Sequence, residues 1–338
     1  MFLKEALLYK KAEANKVSCY LCSHRCSIPD GGFGICNVRE NRGGVLYTHA
    51  YGELIARNID PIEKKPLYHF YPGTYSYSIA AIGCNFKCDF CQNWQISQAR
   101  EAEELGLRSQ AVRPEDVIKQ AKQTDSKSIS YTYTEPTIFF EYALEISRLA
   151  KKEGLANVFV TNGYMTAEML HMMDGYLNAA NVDLKSFRKD YYRKVCKGNL
   201  APVLENIRTM HKSGIWIEIT TLVVPGLNDS EQELREIADF IAGVDRTIPW
   251  HVSRFHPQYR MDGRPATPMT VLNRAYEIGK EAGLHYVYLG NVSGKGNHTY
   301  CHKCSRLLIE RSGFSVRRYE ITEGRCPQCG TRVEGVGL

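Results

Sequence analysis

The chain has no apolar run approaching the roughly 20 residues that a membrane span requires. Its opening stretch, MFLKEALLYKKAEANK, is charged throughout and lacks the apolar core of a signal peptide. These absences predict a cytoplasmic protein with no membrane association. No block of consecutive Lys or Arg occurs, and the net charge of +6 over 338 residues is modest. Solvated faces of mixed charge account for it, so a nucleic-acid surface is not expected. There is no internal repeat or low-complexity tract, and 43% hydrophobic with 24% charged residues excludes a disordered chain. GNVSGKG (290–296) lacks the strand–loop–helix setting and the Lys-Ser/Thr ending of a phosphate loop.

What the chain holds in unusual number is cysteine. Twelve are present, and in a reducing compartment they are not expected to form disulfides. All but Cys196 fall into groups: Cys19, Cys22, Cys26 and Cys36; Cys84, Cys88 and Cys91; Cys301, Cys304, Cys326 and Cys329. Close sets of thiols under reducing conditions point to metal sites.

Between about residues 77 and 292 the chain alternates strand-like and helix-like stretches. Candidate strands are YSIAAI (77–82), SISYTYT (128–134), NVFVTN (157–162), AANVDLK (179–185), WIEITTLVV (216–224), WHVSRFH (250–256) and HYVYLG (285–290). Helical patterns start at Pro114 and run near 138–153, 166–175, 201–213 and 270–282; Ser230 with Glu233 reads as a capping box. Repeated β-then-α units imply a parallel sheet of a barrel or partial barrel, with chemistry at the C-terminal ends of the strands. Residues 1–76 and 293–338 lack this rhythm. They read as small metal-stapled modules on either side of a 77–292 core.

AIGCNFKCDFCQNW sets Cys84, Cys88 and Cys91 in a C-x3-C-x2-C loop directly after a predicted strand. Three thiolates can hold three irons of a [4Fe–4S] cube and leave the fourth iron open to a substrate or cofactor; closed sites are structural, open ones catalytic. A zinc site completed by a distant His, or simply buried thiols, are the bland alternatives. This loop, with Phe90 before its last cysteine, resembles the cluster loop of the radical S-adenosylmethionine (SAM) superfamily. The resemblance implies an α/β partial (βα) barrel and a SAM that chelates the open iron. It also implies reductive SAM cleavage to a 5′-deoxyadenosyl radical that abstracts hydrogen, and an electron donor such as flavodoxin or ferredoxin.

Later motifs extend the likeness. YTYTEP ends the second strand, which implies that Glu135 accepts from the SAM ammonium. TNG places Thr161 and Asn162, VDLK places Asp183 and Lys185, and FHP places His256 as further SAM-positioning candidates. Their order is similar to that of the glycyl-radical-enzyme activating enzymes, typified by the pyruvate formate-lyase activating enzyme, which implies a protein acceptor of the radical. Val160 departs from that pattern, since activating enzymes typically carry an acidic residue there that helps bind a monovalent cation. Over nearly its whole length the chain resembles the radical SAM member of the AmmeMemoRadiSam system, including CYLCSHRCSIPDGGFGICNVREN, DPIEKKPLYHFYPG and the terminal cysteine pairs. That likeness implies AMMECR1-like and Memo-like partners, and it leaves open a small-molecule substrate.

C-H-K-C (301–304) and C-P-Q-C (326–329) form the two-knuckle pattern of a zinc ribbon. Zinc is expected ahead of a rubredoxin-type iron, in a closed structural site. At the amino terminus, Cys19, Cys22, Cys26 and Cys36 with Gly31, Gly32 and Gly34 suit either zinc, the preferred reading, or an auxiliary [4Fe–4S] cluster.

Overall fold

In the computed structural model, which describes residues 3–99, 110–292 and 294–338, the β-then-α alternation becomes one nine-stranded sheet. Residue 293, where the last module was expected to open, lies outside the described residues. The strands are β1 (Glu53–Pro61), β2 (Tyr75–Ala81), β3 (Gln110–Ala111), β4 (Ser128–Tyr131), β5 (Ala156–Thr161), β6 (Ala179–Asp183), β7 (Trp216–Val223), β8 (Trp250–Arg254) and β9 (Val287–Gly290). Their spatial order is β9-β8-β7-β6-β5-β4-β2-β1-β3. From β2 through β9 the neighbours run parallel, while β1 is antiparallel to β2 and carries β3 on its far edge. Among the described residues the two ends of the sheet are not paired to each other, so the barrel is partial.

Among the described residues, helices α1 (Pro114–Gln123), α2 (Phe140–Lys152), α3 (Ala167–Met172), α4 (Leu200–Lys212), α5 (Glu231–Val244) and α6 (Met269–Glu281) accompany the sheet. α5 buries one stripe, Leu234, Ile237, Ala238 and Ile241, the i, i+3, i+4, i+7 spacing of a single helix face. Burying a Leu or Ile side chain fully stabilises by roughly 1.5–3 kcal/mol. Ser230 caps α5 by accepting from the Glu233 N–H, but Glu233 does not complete a capping box. Its carboxylate is drawn away to the Ser186 hydroxyl and the Phe187 N–H, which fastens the β6–α4 connection to α5. Strand β4 is shorter than its β-rich sequence predicts. Tyr133 adopts φ +63 and Pro136 opens a 3-10 turn, so the chain leaves the sheet after Tyr131.

Alternation along the strands sets what faces the inside of the barrel. Asp183, Thr220 and Ser253 line its central cavity, so Asn181, Glu218 and His251, two residues earlier, share that inner face. These deeper residues are capped by the segment after β1. Asn181 donates to the Pro66 carbonyl, and the buried Glu218 carboxylate accepts from the Tyr68 and His69 N–H groups and from His251. Residues 66–69 thus form a floor below the cavity.

Two three-stranded antiparallel sheets make up the amino-terminal region, and a third, Thr299–Tyr300, Leu307–Ser312 and Ser315–Tyr319, makes the expected C-terminal hairpin. Arg311 of that hairpin is buried. It donates to the Tyr68 carbonyl at 2.8 Å, lies over the Tyr68 ring at 4.2 Å and pairs with Glu63 at 3.5 Å. The last module is therefore bound to the barrel floor.

Candidate active site

Cys84, Cys88 and Cys91 lie just past the C-terminal end of β2 and line a cavity of about 400 Å³ at the top of the parallel strands. Gly83 makes the turn into this loop. Its φ is +99, and an added Cβ would sit 2.8 Å from the Cys36 carbonyl and 2.9 Å from Val38. Only glycine permits that close approach, so the amino-terminal region abuts the loop directly. On the other side the loop rests on a π-helical turn, Tyr192–Cys196, through bonds from the Lys87 and Asp89 N–H groups to the Cys196 and Val195 carbonyls.

Each loop sulfur has a polar neighbour. The Phe86 N–H donates to Cys84 Sγ at 3.3 Å, and Ser97 Oγ lies 3.2 Å from Cys91 Sγ. Cys88 has Cys196 beside it. Burial and the nearby Glu135 carboxylate push the Cys84 thiol well above its ordinary range. The neighbouring Cys196 thiol and burial do the same to Cys88, and burial raises Cys91. Such thiols become thiolates only where a cation compensates. Three thiols of one loop lining an open cavity are a donor set that fits a [4Fe–4S] cluster with one open iron.

The expected SAM-positioning residues gather around the same cavity, with one exception. Glu135, Thr161, Asn162, Asp183, Lys185 and Phe90 all line it. His256 does not: it is exposed. Phe255 turns inward and is held by Thr267, and the next side chain in the extended segment points outward. Ser253 and Asn291 line the cavity on that side instead.

Glu135 joins two strand ends. One oxygen accepts from the Thr137 N–H, the Thr137 hydroxyl and the Thr161 hydroxyl, and the other from the Asn162 N–H at 2.8 Å. Burial raises its pKa, against the pull of these donors. Asn162 donates to Asn85 Oδ1 at 2.7 Å, which ties β5 to the cluster loop. Gly163 follows at φ +68. Lys185 pairs with Asp183 at 2.8 Å, and its ammonium lies 5.6 Å from the Phe90 ring centre. Burial alone would lower the Lys185 pKa, but Asp183, Cys88 and Cys196 reverse the sign and hold it protonated.

Several lining residues were not singled out in the sequence. Lys64 and Lys65 come from the segment after β1, and Tyr133 from the turn after β4. Asp60 gathers all three, accepting from Lys64 at 2.8 Å, from the buried Lys65 at 2.5 Å and from the Tyr133 hydroxyl. Burial brings the Lys65 pKa down to about 8 despite Asp60. Phe314, in the turn of the C-terminal hairpin, also lines the cavity. The one available signal was the run DPIEKKP, an acid followed four and five residues later by two bases; nothing in sequence places residue 314 near residue 84.

The other cysteine groups differ. Sulfurs of Cys301, Cys304, Cys326 and Cys329 all lie within 4.8 Å of one another, as four ligands of one ion would; among the described residues no three of the amino-terminal thiols converge so closely. Cys19, Cys22, Cys26 and Cys36 instead surround a closed apolar cavity with Leu21, Ile28 and Ile138. Beside it the buried Arg39 contacts Cys19 Sγ at 3.4 Å and pairs with Glu141.

A partial βα barrel with a three-thiol loop at the end of its first parallel strand and an adjoining polar cavity defines a radical SAM fold. The Radical SAM superfamily matches residues 79–241 of the chain, which belongs to that superfamily. It is similar to uncharacterized protein MJ0808 of Methanocaldococcus jannaschii, with 43% identity over 98% of this chain and 99% of the relative. It is also similar to the GTP 3′,8-cyclase of Helicobacter pylori, at 31% identity over 68% and 75% of the two chains. A putative glycyl-radical enzyme activating enzyme of M. jannaschii, MJ1227, is 25% identical over 66% of this chain and 89% of its own. The family and these relatives support radical SAM catalysis. Among the described residues no helix is long and apolar enough to cross a membrane.

Proposed function

We propose that this chain is a radical SAM enzyme that abstracts hydrogen from a residue of a partner protein, within an AmmeMemoRadiSam-type system containing AMMECR1-like and Memo-like proteins. The observation that carries the catalytic reading is the three-thiol loop opening into a cavity lined by Glu135, Asn162, Asp183 and Lys185. Cys84, Cys88 and Cys91 would hold the cluster, and Glu135 with Asn162 would meet the polar end of SAM. When bound, these groups supply reductive SAM cleavage and hydrogen abstraction, with electrons from a flavodoxin- or ferredoxin-type donor.

The chain's own residues do the rest. Phe86 and Ser97 place hydrogen bonds on the cluster sulfurs, a lever on cluster potential. The Lys185–Asp183 pair keeps a fixed cation beside the loop. The barrel walls and the floor at residues 66–69 keep water from a reactive carbon radical. Likeness to the putative activating enzyme favours a protein acceptor; likeness to the GTP 3′,8-cyclase supports a second reading, a small-molecule substrate.

The ribbon thiols are read as a closed zinc site and the more widely spaced amino-terminal thiols as an auxiliary iron–sulfur site. The spread of the latter and the buried Arg39 beside Cys19 support a bulkier, anionic group there in place of the zinc that spacing favoured.

Anaerobically reconstituted, reduced protein should release 5′-deoxyadenosine from SAM; no SAM cleavage under these conditions removes the catalytic reading. With deuterated partner protein, deuterium in the 5′-deoxyadenosine supports the protein acceptor. Label arriving only from a deuterated small-metabolite fraction supports the second reading.

A further inference from the structure

The mechanism leaves unused a group of side chains at the seam between the barrel and the C-terminal module. His285 sits just before β9, His302 lies between the first two ribbon cysteines, and Glu334 comes from the chain's last residues. One ligand atom from each converges within 4.8 Å. The two imidazoles are stacked, with centroids 3.9 Å apart and planes 14° from parallel. His285 Nδ1 is buried without a hydrogen-bond partner among the described residues, 3.8 Å from Glu334 Oε2. Tyr286 donates to Glu334 Oε2 at 2.8 Å and stands 3.5 Å from His302 Nδ1. A cavity of about 320 Å³ lined by both histidines adjoins them.

A buried imidazole nitrogen left without a partner costs free energy. Here it faces a carboxylate and a second imidazole across a gap wider than a hydrogen bond and narrow enough for one ion to bridge. Two imidazole nitrogens and one carboxylate oxygen are the donor set of an open zinc or iron(II) site, with positions left for water or a ligand. The Tyr286 hydroxyl supplies the outer hydrogen bond that orients such a carboxylate.

We propose that His285, His302 and Glu334 bind one divalent transition-metal ion, separate from the ribbon's four thiols, with an open coordination position toward the adjoining cavity. The ion would join the barrel, the first knuckle and the C-terminal segment at one point. Zinc and iron(II) share this chemistry, and titration with Zn²⁺ and with Co²⁺ tests it.

Full-length protein with its clusters in place is dialysed against a weak chelator and then titrated with each ion. Wild type should take up about one equivalent more than either His285→Ala or Glu334→Gln. In the Co²⁺ form, the difference spectrum should show weak d–d bands without thiolate-to-cobalt charge transfer. Tyr286→Phe should bind that equivalent roughly 10–100-fold more weakly, as loss of an outer hydrogen bond does. Wild-type stoichiometry and affinity in both His285→Ala and Glu334→Gln overturn the proposal. So does a difference spectrum dominated by thiolate charge transfer, because one four-thiolate site would then explain all the binding.

Discussion

The two four-cysteine regions share a count and differ in almost everything else. The C-terminal thiols, two buried and two half-buried, converge on one point between the two knuckles, and hydrogen bonding with Thr331 brings the Cys329 pKa down to about 6. The amino-terminal thiols are spread around an apolar cavity against the cluster loop, and burial pushes Cys36 up to about 11. Cysteine count and spacing alone thus do not identify a metal site. How closely the sulfurs meet, and which charge stands behind them, is what the two proposed occupants rest on.

The largest expected effect breaks the comparison by removing a third site. Cys88→Ala should abolish SAM cleavage, read as 5′-deoxyadenosine release, while both terminal regions keep their metal. Next, Cys22→Ser and Cys304→Ser set the two regions against each other. The first should lower iron content and leave zinc unchanged; the second should remove about one zinc per chain, with faster proteolysis of residues 294–338. Zinc loss in both variants would make the two regions alike and end the contrast. Because Phe314 reaches the active cavity, Cys304→Ser should also slow SAM-dependent turnover while the catalytic cluster stays intact by its EPR signal.

Glu135→Gln should weaken SAM binding by about one to two orders of magnitude, since charge-assisted hydrogen bonds are commonly worth roughly 1.5–3 kcal/mol. The amide must also place an NH₂ among the Thr137, Thr161 and Asn162 donors, so a fall in thermal stability should accompany it. Unchanged SAM affinity in a folded variant removes Glu135 from the site.

The smallest effect concerns the docking of the last module. His69, between Tyr288 and the Glu334 carbonyl, has its pKa lowered by burial from 6.5 to about 4. The unfolded chain therefore binds the proton first as the solution is acidified. His69's contribution is complete above about pH 6.5 and is lost as pH falls toward 4. Chemical denaturation of wild type and His69→Gln should show a steeper loss for wild type across that window; parallel curves would contradict it.

Sequence by itself determined the parallel βα core, the cluster loop and the existence of three cysteine groups. Those features are local: alternation, caps and ligand spacing are set by residues within a few positions of one another. Six of the seven non-cysteine candidates line one cavity because each ends a parallel strand or lies in the cluster loop, and the register brings those ends together. His256 fell outside because a single step of alternation after β8 turns it to solvent, which strand-end position alone does not reveal. Tertiary structure decided everything that joins distant segments. It brought Lys64 and Lys65 after β1 to the cavity, set Cys196 beside Cys88, carried Phe314 to the same cavity and gathered His285, His302 and Glu334. No periodicity encodes such contacts. They arise when the barrel closes its floor with residues 66–69 and burial forces each polar group to find a partner across the fold.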